Sequence, residues 1–400
     1  MTGTDAGTLS GPRQRLVALD ILRGLVIVVM VLDHVRDFLH LDAERFDPLD
    51  PAHTTALLYA TRWITNFCAP TFVFLAGTSA WLQRARGRST RELSLLLLTR
   101  GLWLVLLELT VLGFGWSFWI PYLLFLQVIW AIGCSMVALA ACVWLPRTAA
   151  LALGVLILLA HNLLDPITPE QFGPYANGWM ALHVLGVWSH EGAPYALLAY
   201  PVLAWFGVML LGYGMGQVFL LPARQRDLIL VRLGLAMIAA FLVLRYFNLY
   251  GDPQPWVAQA TPGRTVMAFL RVEKYPPSLF YVCATLGPVF ALLPLLARWH
   301  GRAAHFFMVF GAVPLFAYVV HVYLVHALSI VLRAATGQTL AGQFDTIRVQ
   351  ITHPELLHGS GYSLAVVYVA WIGVVLALYP LCRWFADLKR RRHDWWLSYL

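Results

Sequence analysis

Ten apolar runs follow one another along this chain, near residues 16–39, 57–82, 93–114, 121–145, 148–165, 197–221, 228–248, 278–298, 306–332 and 362–386. At 1.5 Å of rise per residue, a helix of about 20 residues crosses a hydrocarbon layer about 30 Å thick. Inside lipid every backbone N–H and C=O must be satisfied within the protein, so runs of this length are expected to be helices. Composition agrees: 60% of residues are hydrophobic and 12% charged, where soluble domains carry about 25% charged residues. Mean hydropathy is +0.70. The expected fold is all-α, a polytopic bundle of about ten transmembrane helices. The stretch GWMALHVLGVW (178–188) reads as a re-entrant or interfacial helix.

Basic residues orient the stack. One set of turns holds Arg13 and Arg15; Arg84, Arg86, Arg88 and Arg91; Arg147; Arg224 and Arg226; Arg298 and Arg302; and Arg383, Lys389, Arg390, Arg391 and Arg392. Loop 40–56 on the opposite side is acidic (Asp42, Glu44, Asp47 and Asp50 against Arg45), and 115–120 and 161–196 contain no Lys or Arg. Positive charge stays inside, so both termini are expected in the cytoplasm; the membrane expected is a bacterial-type inner one. A tail (1–14) without the apolar stretch of a removed signal precedes the membrane domain (15–388). A basic tail (389–400) follows it, with Trp395 and Trp396 expected at headgroup level. The formal charge of +8 follows from this topology and gives no reason to expect nucleic acid. Loop 249–277 breaks the pattern with Arg264, Arg271 and Lys274, a hint of binding on the outer side.

The first run, LVALDILRGLVIVVMVLDHVRDFL, places charge inside the membrane. Arg23 and His34 are separated by about 1100° of helical turn, so they share one face within about 20° and stand about 16 Å apart along the axis. Such groups usually mark a pathway or a site. Asp20 lies three residues before Arg23 and Asp37 three after His34, so each pair can meet. Asp37, or the adjacent Asp33, is expected to hold His34 in one tautomer, as a carboxylate does for a general base. The plainer reading of Asp20 and Arg23 is an ion pair that fixes helix packing.

Other polar groups within the runs form two layers. Arg100 lies near the inner end, beside the Arg84, Arg86, Arg88 and Arg91 cluster; Arg62, Asn66, Glu108, Gln127 and His321 lie nearer the outer face. Two ligands approaching from opposite sides would use such layers, although interhelical hydrogen bonding also accounts for each member singly. No metal is expected, because neither HPELLH (353–358) nor His321 with His326 has the i,i+4 spacing of a helical zinc pair. The five cysteines lie within apolar runs and read as packing residues. GYGMG (212–216) reads as a close helix contact.

The opening RLVALDILRGLVIVVMVLDHV resembles the first helix of the transmembrane acyltransferase superfamily. This group includes the heparan-alpha-glucosaminide N-acetyltransferase catalytic domain and, more distantly, the acyltransferase-3 proteins, whose Arg, ten residues, His spacing Arg23 and His34 reproduce. APTFVFLAGTSAWL (69–82), FLQVIWAIG (125–133), KYPPSLFYVCATLGP (274–288) and VFGAVPLFAYVVH (309–321) resemble, in order, further segments of the heparan-glucosaminide branch. The resemblance implies that acetyl-CoA is the cytoplasmic acyl donor and that a sugar or glycan on the outer side is the acceptor. Arg23, Arg84, Arg86, Arg88, Arg91 and Arg100 would then contact donor phosphates. His34 would take the acceptor's proton or carry the acyl group, and Asn66, Gln127, Lys274 or His321 would meet the acceptor or its developing oxyanion. In the heparan-glucosaminide enzymes an asparagine stands where His34 is and the catalytic histidine follows in the outer loop. The base therefore stays open among His34, His40 and His53.

The leading expectation is an acyl-CoA-dependent O- or N-acyltransferase embedded in the membrane, with a homodimer as one allowed assembly. The alternatives are a transporter whose polar layers form a substrate path and a non-catalytic scaffold. Outer loops 161–196, 249–277 and 333–361 would set acceptor specificity.

Overall fold

The structure, a computed structural model, describes residues 12–41, 43, 45–392, 394, 397 and 399, with side chains from residue 17 onward. Asp42, Glu44, Trp395, Trp396, the chain before residue 12 and the side chains of Arg13 and Arg15 lie outside the described residues.

The protein is mostly helical, and every expected run contains a helix. Among the described residues, seven helices are long and apolar enough to cross a membrane: Thr90–Ser117, Arg147–Leu164, Val202–Leu220, Ala223–Tyr246, Leu279–Leu296, Pro314–Ala335 and Leu364–Arg391. Three expected runs fall outside that set for separate reasons. The Pro12–Leu39 helix is unbroken but charged. The second run is divided by a 3-10 turn at Thr65–Phe67, between Ala56–Ile64 and Cys68–Ala85. The fourth is helical only over Val128–Cys142.

Two expectations need correction. The 306–332 run is two helices, Arg302–Ala312 and Pro314–Ala335, because Val313 leaves helical geometry at φ −135°, ψ 54°. Pro314 lacks an N–H and pushes the residue before it out of the α region. The fold is also not purely α. Strands β1 (Leu124–Leu126), β2 (Gly186–His190) and β3 (Ala193–Leu198) form a sheet in the order β1-β3-β2. β1 runs parallel to β3, and β2 pairs antiparallel with it. Glu191 (φ 49°) and Gly192 (φ 80°) make the two-residue turn, since positive φ at both positions matches the twist of a tight hairpin. The 178–188 stretch is accordingly a short helix, Ala176–Leu182, followed by the start of β2.

The first helix is the centre of the bundle, and Ile21, Ile27, Val31, Val35 and Leu39 are fully buried on it. Glycines set its closest crossing. A Cβ on Gly24 would lie 1.8 Å from the Phe307 carbonyl oxygen, and one on Gly311 would lie 1.9 Å from that of Asp20. Gly77 and Gly212 make a second crossing of the same kind, against Met209 and Phe74, so the GYGMG stretch acts as a close contact as expected. At the far end of the first helix the Phe38 carbonyl accepts from Ser329 Oγ at 3.0 Å and Arg333 Nη2 at 3.3 Å, satisfying a terminal acceptor that the helix leaves open. All five cysteines are free, with Cys68, Cys283 and Cys382 buried.

Candidate functional site

His34 and His321 meet in the middle of the bundle. His34 Nδ1 lies 2.7 Å from His321 Nε2, and the two rings stack at 4.9 Å with 12° between planes. Both are buried, His321 completely. His321 Nδ1 faces the Ala317 carbonyl at 3.0 Å. A carbonyl only accepts, so His321 Nδ1 carries the proton in the neutral ring and its Nε2 offers a lone pair. His34 Nδ1 is then the donor between the rings, and His34 Nε2 is left as the basic nitrogen. Trp116 at 5.0 Å and Tyr318 at 6.0 Å stand edge-on to His34.

The expected carboxylate partner of His34 is therefore corrected. Asp33 and Asp37 both accept from Arg36 Nη2, at 2.8 and 2.6 Å. Arg36 lies between the two acids, and its charge outcompetes a neutral imidazole. The other two candidate bases lie elsewhere. His40 and His53 line a separate cavity of about 470 Å³ with Arg45 and Phe46. His53 is 65% exposed and pairs with Asp50 at 2.6 Å. His326 does not join His321; its nitrogens face the carbonyls of Gly115 and Gln343.

A mostly apolar cavity of about 290 Å³ opens on one side of the histidine pair. Arg23 and Arg100 line it, with Ser79, Gln83, Trp103 and Tyr318. Tyr318 forms its wall toward both histidines, 5.3 Å from the His321 ring. His34 itself does not line it. Arg23 pairs with Asp20 at 2.6 Å and donates to the Gly311 carbonyl at 3.1 Å, the open C-terminal end of the Arg302–Ala312 helix, where a cation is favoured. Arg84, Arg86, Arg88 and Arg91 are not lining residues; they sit on and around the turn that follows Gln83, where Arg84 donates to the Arg88 carbonyl at 2.7 Å. Four buried polar atoms near the tyrosine wall have no hydrogen-bond partner among the described residues: Tyr318 Oη, Trp116 Nε1, Glu108 Oε2 and Gln127 Nε2. Glu108 begins a π-helical turn, Glu108–Leu112, and its Oε1 accepts from the Gln127 amide at 2.9 Å. Such turns recur at functional positions.

A polar cavity of about 360 Å³, which neither histidine lines, is bounded by Arg62, Lys274, Asp252, Glu273, Arg271, Trp256 and neighbours. Arg62 links it to the first helix. It donates to Thr65 Oγ1 at 2.9 Å and Asn66 Oδ1 at 3.0 Å, and it stands 3.9 Å from Asp33. Lys274 is buried between the rings of Tyr200 and Tyr275. Arg245, which the sequence reading passed over, organises this wall. It donates to the carbonyls of Phe269, Gln254, Ala268 and Arg271 and lies 3.5 Å from Asp252. Asp252 in turn accepts from Ser278 Oγ at 2.8 Å. Burial pushes the Asp252 and Glu273 carboxyls above the usual carboxylate range. Beside the basic residues of loop 249–277, an arginine closing the apolar 228–248 run was a further sequence signal for this wall; Tyr318 and Trp116 gave none, as aromatics among many.

Among the expected site residues, the fold thus brings His34 to His321, places Arg23 and Arg100 on one cavity, and places Lys274 on the other. Asn66 and Gln127 line neither cavity; Asn66 Oδ1 accepts from Arg62, and the Gln127 backbone amide donates to Glu108. Comparison with known families matches residues 15–246 to a family model described as "Heparan-alpha-glucosaminide N-acetyltransferase, catalytic". The match includes His34, Arg23, Arg100 and Arg245 and stops short of Lys274, Tyr318 and His321. No curated protein matches the chain.

Proposed function

Since the chain belongs to the heparan-alpha-glucosaminide N-acetyltransferase catalytic family, we propose that it is a membrane-embedded acyltransferase whose reaction centre is the His34–His321 pair. The donor is acetyl-CoA, approaching from the Arg23 and Arg100 side, and the acceptor is a sugar amine or hydroxyl on the Lys274 side. Ten membrane crossings with both termini in the cytoplasm, in a bacterial-type inner membrane, are part of this reading. The positive charge of the turns beside Arg23 supports it.

The observation that supports the reading is a buried base of fixed tautomer that meets the apolar cavity through Tyr318, with Arg62, 3.9 Å from the adjacent Asp33, in the wall of a polar one. A cavity of about 290 Å³, mostly apolar but with Arg23, Arg100, Ser79, Gln83 and Tyr318 in its walls, suits the acyl and pantetheine arm of the donor. Guanidinium groups suit phosphate, and Arg84, Arg86, Arg88 and Arg91 add positive potential on the turn after Gln83. The orphaned donors Tyr318 Oη, Trp116 Nε1 and Gln127 Nε2 are available for a thioester oxygen as charge develops on it. The acceptor's N–H or O–H gives its proton to His34 Nε2 while its heteroatom attacks the thioester carbon. The C–S bond breaks, the coenzyme leaves as its thiolate, and the proton held on His34 Nε2 passes to that sulfur, returning the neutral base. His321 positions His34 and spreads the charge of the imidazolium.

Direct transfer is favoured over a histidine-bound acyl group because His34 Nδ1 is engaged and Nε2 is the only nitrogen left to take a proton. Mass spectrometry of envelope glycans from cells with and without the chain tests the reading. A missing acetyl group is expected without it, and His34→Ala should reproduce that loss while the protein still folds. Unchanged glycans, or full activity in the variant, overturn it.

A further inference from the structure

Outside the histidine pair and both cavities, a second cluster of chemically capable groups lies at the end of the fifth apolar run. His161 opens the 3-10 turn His161–Leu164, Asp165 closes that turn, and His183 ends the Ala176–Leu182 helix. One donor atom from each of the three lies within 4.8 Å of the others. His183 Nε2 is 2.9 Å from Asp165 Oδ1.

The informative member is His161. It is 2% exposed, and neither of its ring nitrogens has a hydrogen-bond partner among the described residues; the same holds for Nδ1 of His183, 1% exposed. A neutral imidazole carries one N–H and one lone pair, and buried polar atoms are nearly always satisfied. The two rings stand 5.9 Å apart at 67°, so they do not satisfy one another. Two neutral imidazoles and a carboxylate are the donor set of open zinc sites, which keep a fourth position for water or another ligand. The carboxylate is also oriented from behind: Asn162 Nδ2 donates to Asp165 Oδ2 at 2.9 Å, and Asn162 Oδ1 accepts from the Leu279 amide at 3.0 Å. Support of that kind is typical around ligating groups.

We propose that His161, Asp165 and His183 bind a divalent transition-metal ion of the zinc type. Tetrahedral coordination with bonds of about 2.0 Å places donors about 3.3 Å apart, so the three side chains close slightly around the ion and the His183–Asp165 hydrogen bond gives way to two metal bonds. The ion fastens the 161–183 segment to the start of the Leu279–Leu296 helix through Asn162, a few residues from Lys274. The third ligand lies 18 residues beyond the His-x-x-x-Asp pair and on another element, so spacing alone hid the set. The inference rests on this geometry and not on the acyl-transfer reading.

The test uses the full chain purified in detergent, incubated with Zn(II) or Co(II) and desalted. Stoichiometric metal by elemental analysis, visible bands of tetrahedral Co(II), and a thermal midpoint raised by Zn(II) and lowered by a chelator are expected. Asp165→Asn and His161→Gln should each lose the bands and the midpoint response. Wild-type protein that retains no metal and ignores both Zn(II) and chelator overturns the proposal and leaves buried water as the occupant. Unchanged Co(II) bands in both variants overturn it equally, and the wild-type measurement stands even if a variant fails to fold.

Discussion

His34 donates to His321 Nε2 across 2.7 Å, and His321 is itself pinned to the Ala317 carbonyl. The pair therefore points one basic nitrogen, Nε2 of His34, away from itself. Replacing His321 removes the acceptor and frees the His34 tautomer without removing the base. His321→Ala is expected to lower kcat about five- to thirtyfold, the worth of a buried hydrogen bond of about 1–2 kcal/mol, with donor KM little changed and the pH–rate profile displaced. His34→Ala should cost more, about 10²- to 10⁴-fold. Equal losses in both variants, or none in His321→Ala, would contradict a positioning role.

Arg100 and Arg86 separate a cavity wall from a surface charge. Arg100→Ala should weaken acetyl-CoA binding at least about tenfold, as expected for a charge-assisted hydrogen bond. Arg86 is exposed on the turn, and Arg86→Ala should change the Kd by less than about twofold. Calorimetric titration of the purified protein distinguishes them; the reverse ranking would move the donor out of the cavity.

Gly24 has no room for a side chain, because a Cβ there meets the Phe307 carbonyl oxygen at 1.8 Å. Gly24→Val should lower stability by about 1–3 kcal/mol or more through overpacking, read as a lower thermal midpoint in detergent. Gly178 has nothing within 4 Å of the same construction, so Gly178→Ala serves as the control and should leave the midpoint in place.

Arg245 holds the Lys274 side of the protein by four carbonyls. Arg245→Met leaves those acceptors and Asp252 without their cation, a change that costs about 3–5 kcal/mol when a buried pair is broken. Hydrogen exchange over 249–277 should speed up at least about tenfold. Unaltered protection there would show that the loop is held by other contacts.

Asp252 also gives the loop a pH dependence. Burial raises its folded pKa above the unfolded value near 4, so the unfolded state releases the proton first. The stability this group contributes is complete below the unfolded value and is lost as pH rises through the folded one. The wild-type thermal midpoint should therefore fall relative to that of Asp252→Asn as pH rises above about 4. A gap that stays constant would mean the carboxyl titrates normally. Glu273, shifted the same way by burial, adds to the effect.

The first helix was legible because its charges recur at helical spacing within an apolar run: Arg23 and His34 do lie on one buried helix, and Asp20 does meet Arg23. What spacing could not reveal was competition. Arg36 takes both acids intended for His34, and the true partner lies 287 residues away in sequence, where periodicity carries no information. The break at Val313 was written in the Val-Pro pair, but hydropathy alone runs straight through it. The Glu191-Gly192 turn was less legible: Gly192 is a turn residue, but Glu191 is not one that favours positive φ, and the surrounding composition favoured helices. The His161, Asp165 and His183 set needed the fold itself, since its members come from two separate elements.

The interruption at Val313 also decides where a cation rests on a different helix. Were the rod to continue through residue 314, the Gly311 oxygen would be consumed by the amide one turn further on. Because the rod stops at Val313, the Leu315 amide is not brought over that oxygen, and the Arg23 guanidinium settles on it. The depth of this arginine is thus dictated by its neighbour's ending, and moving that ending by one residue would drag the charge with it.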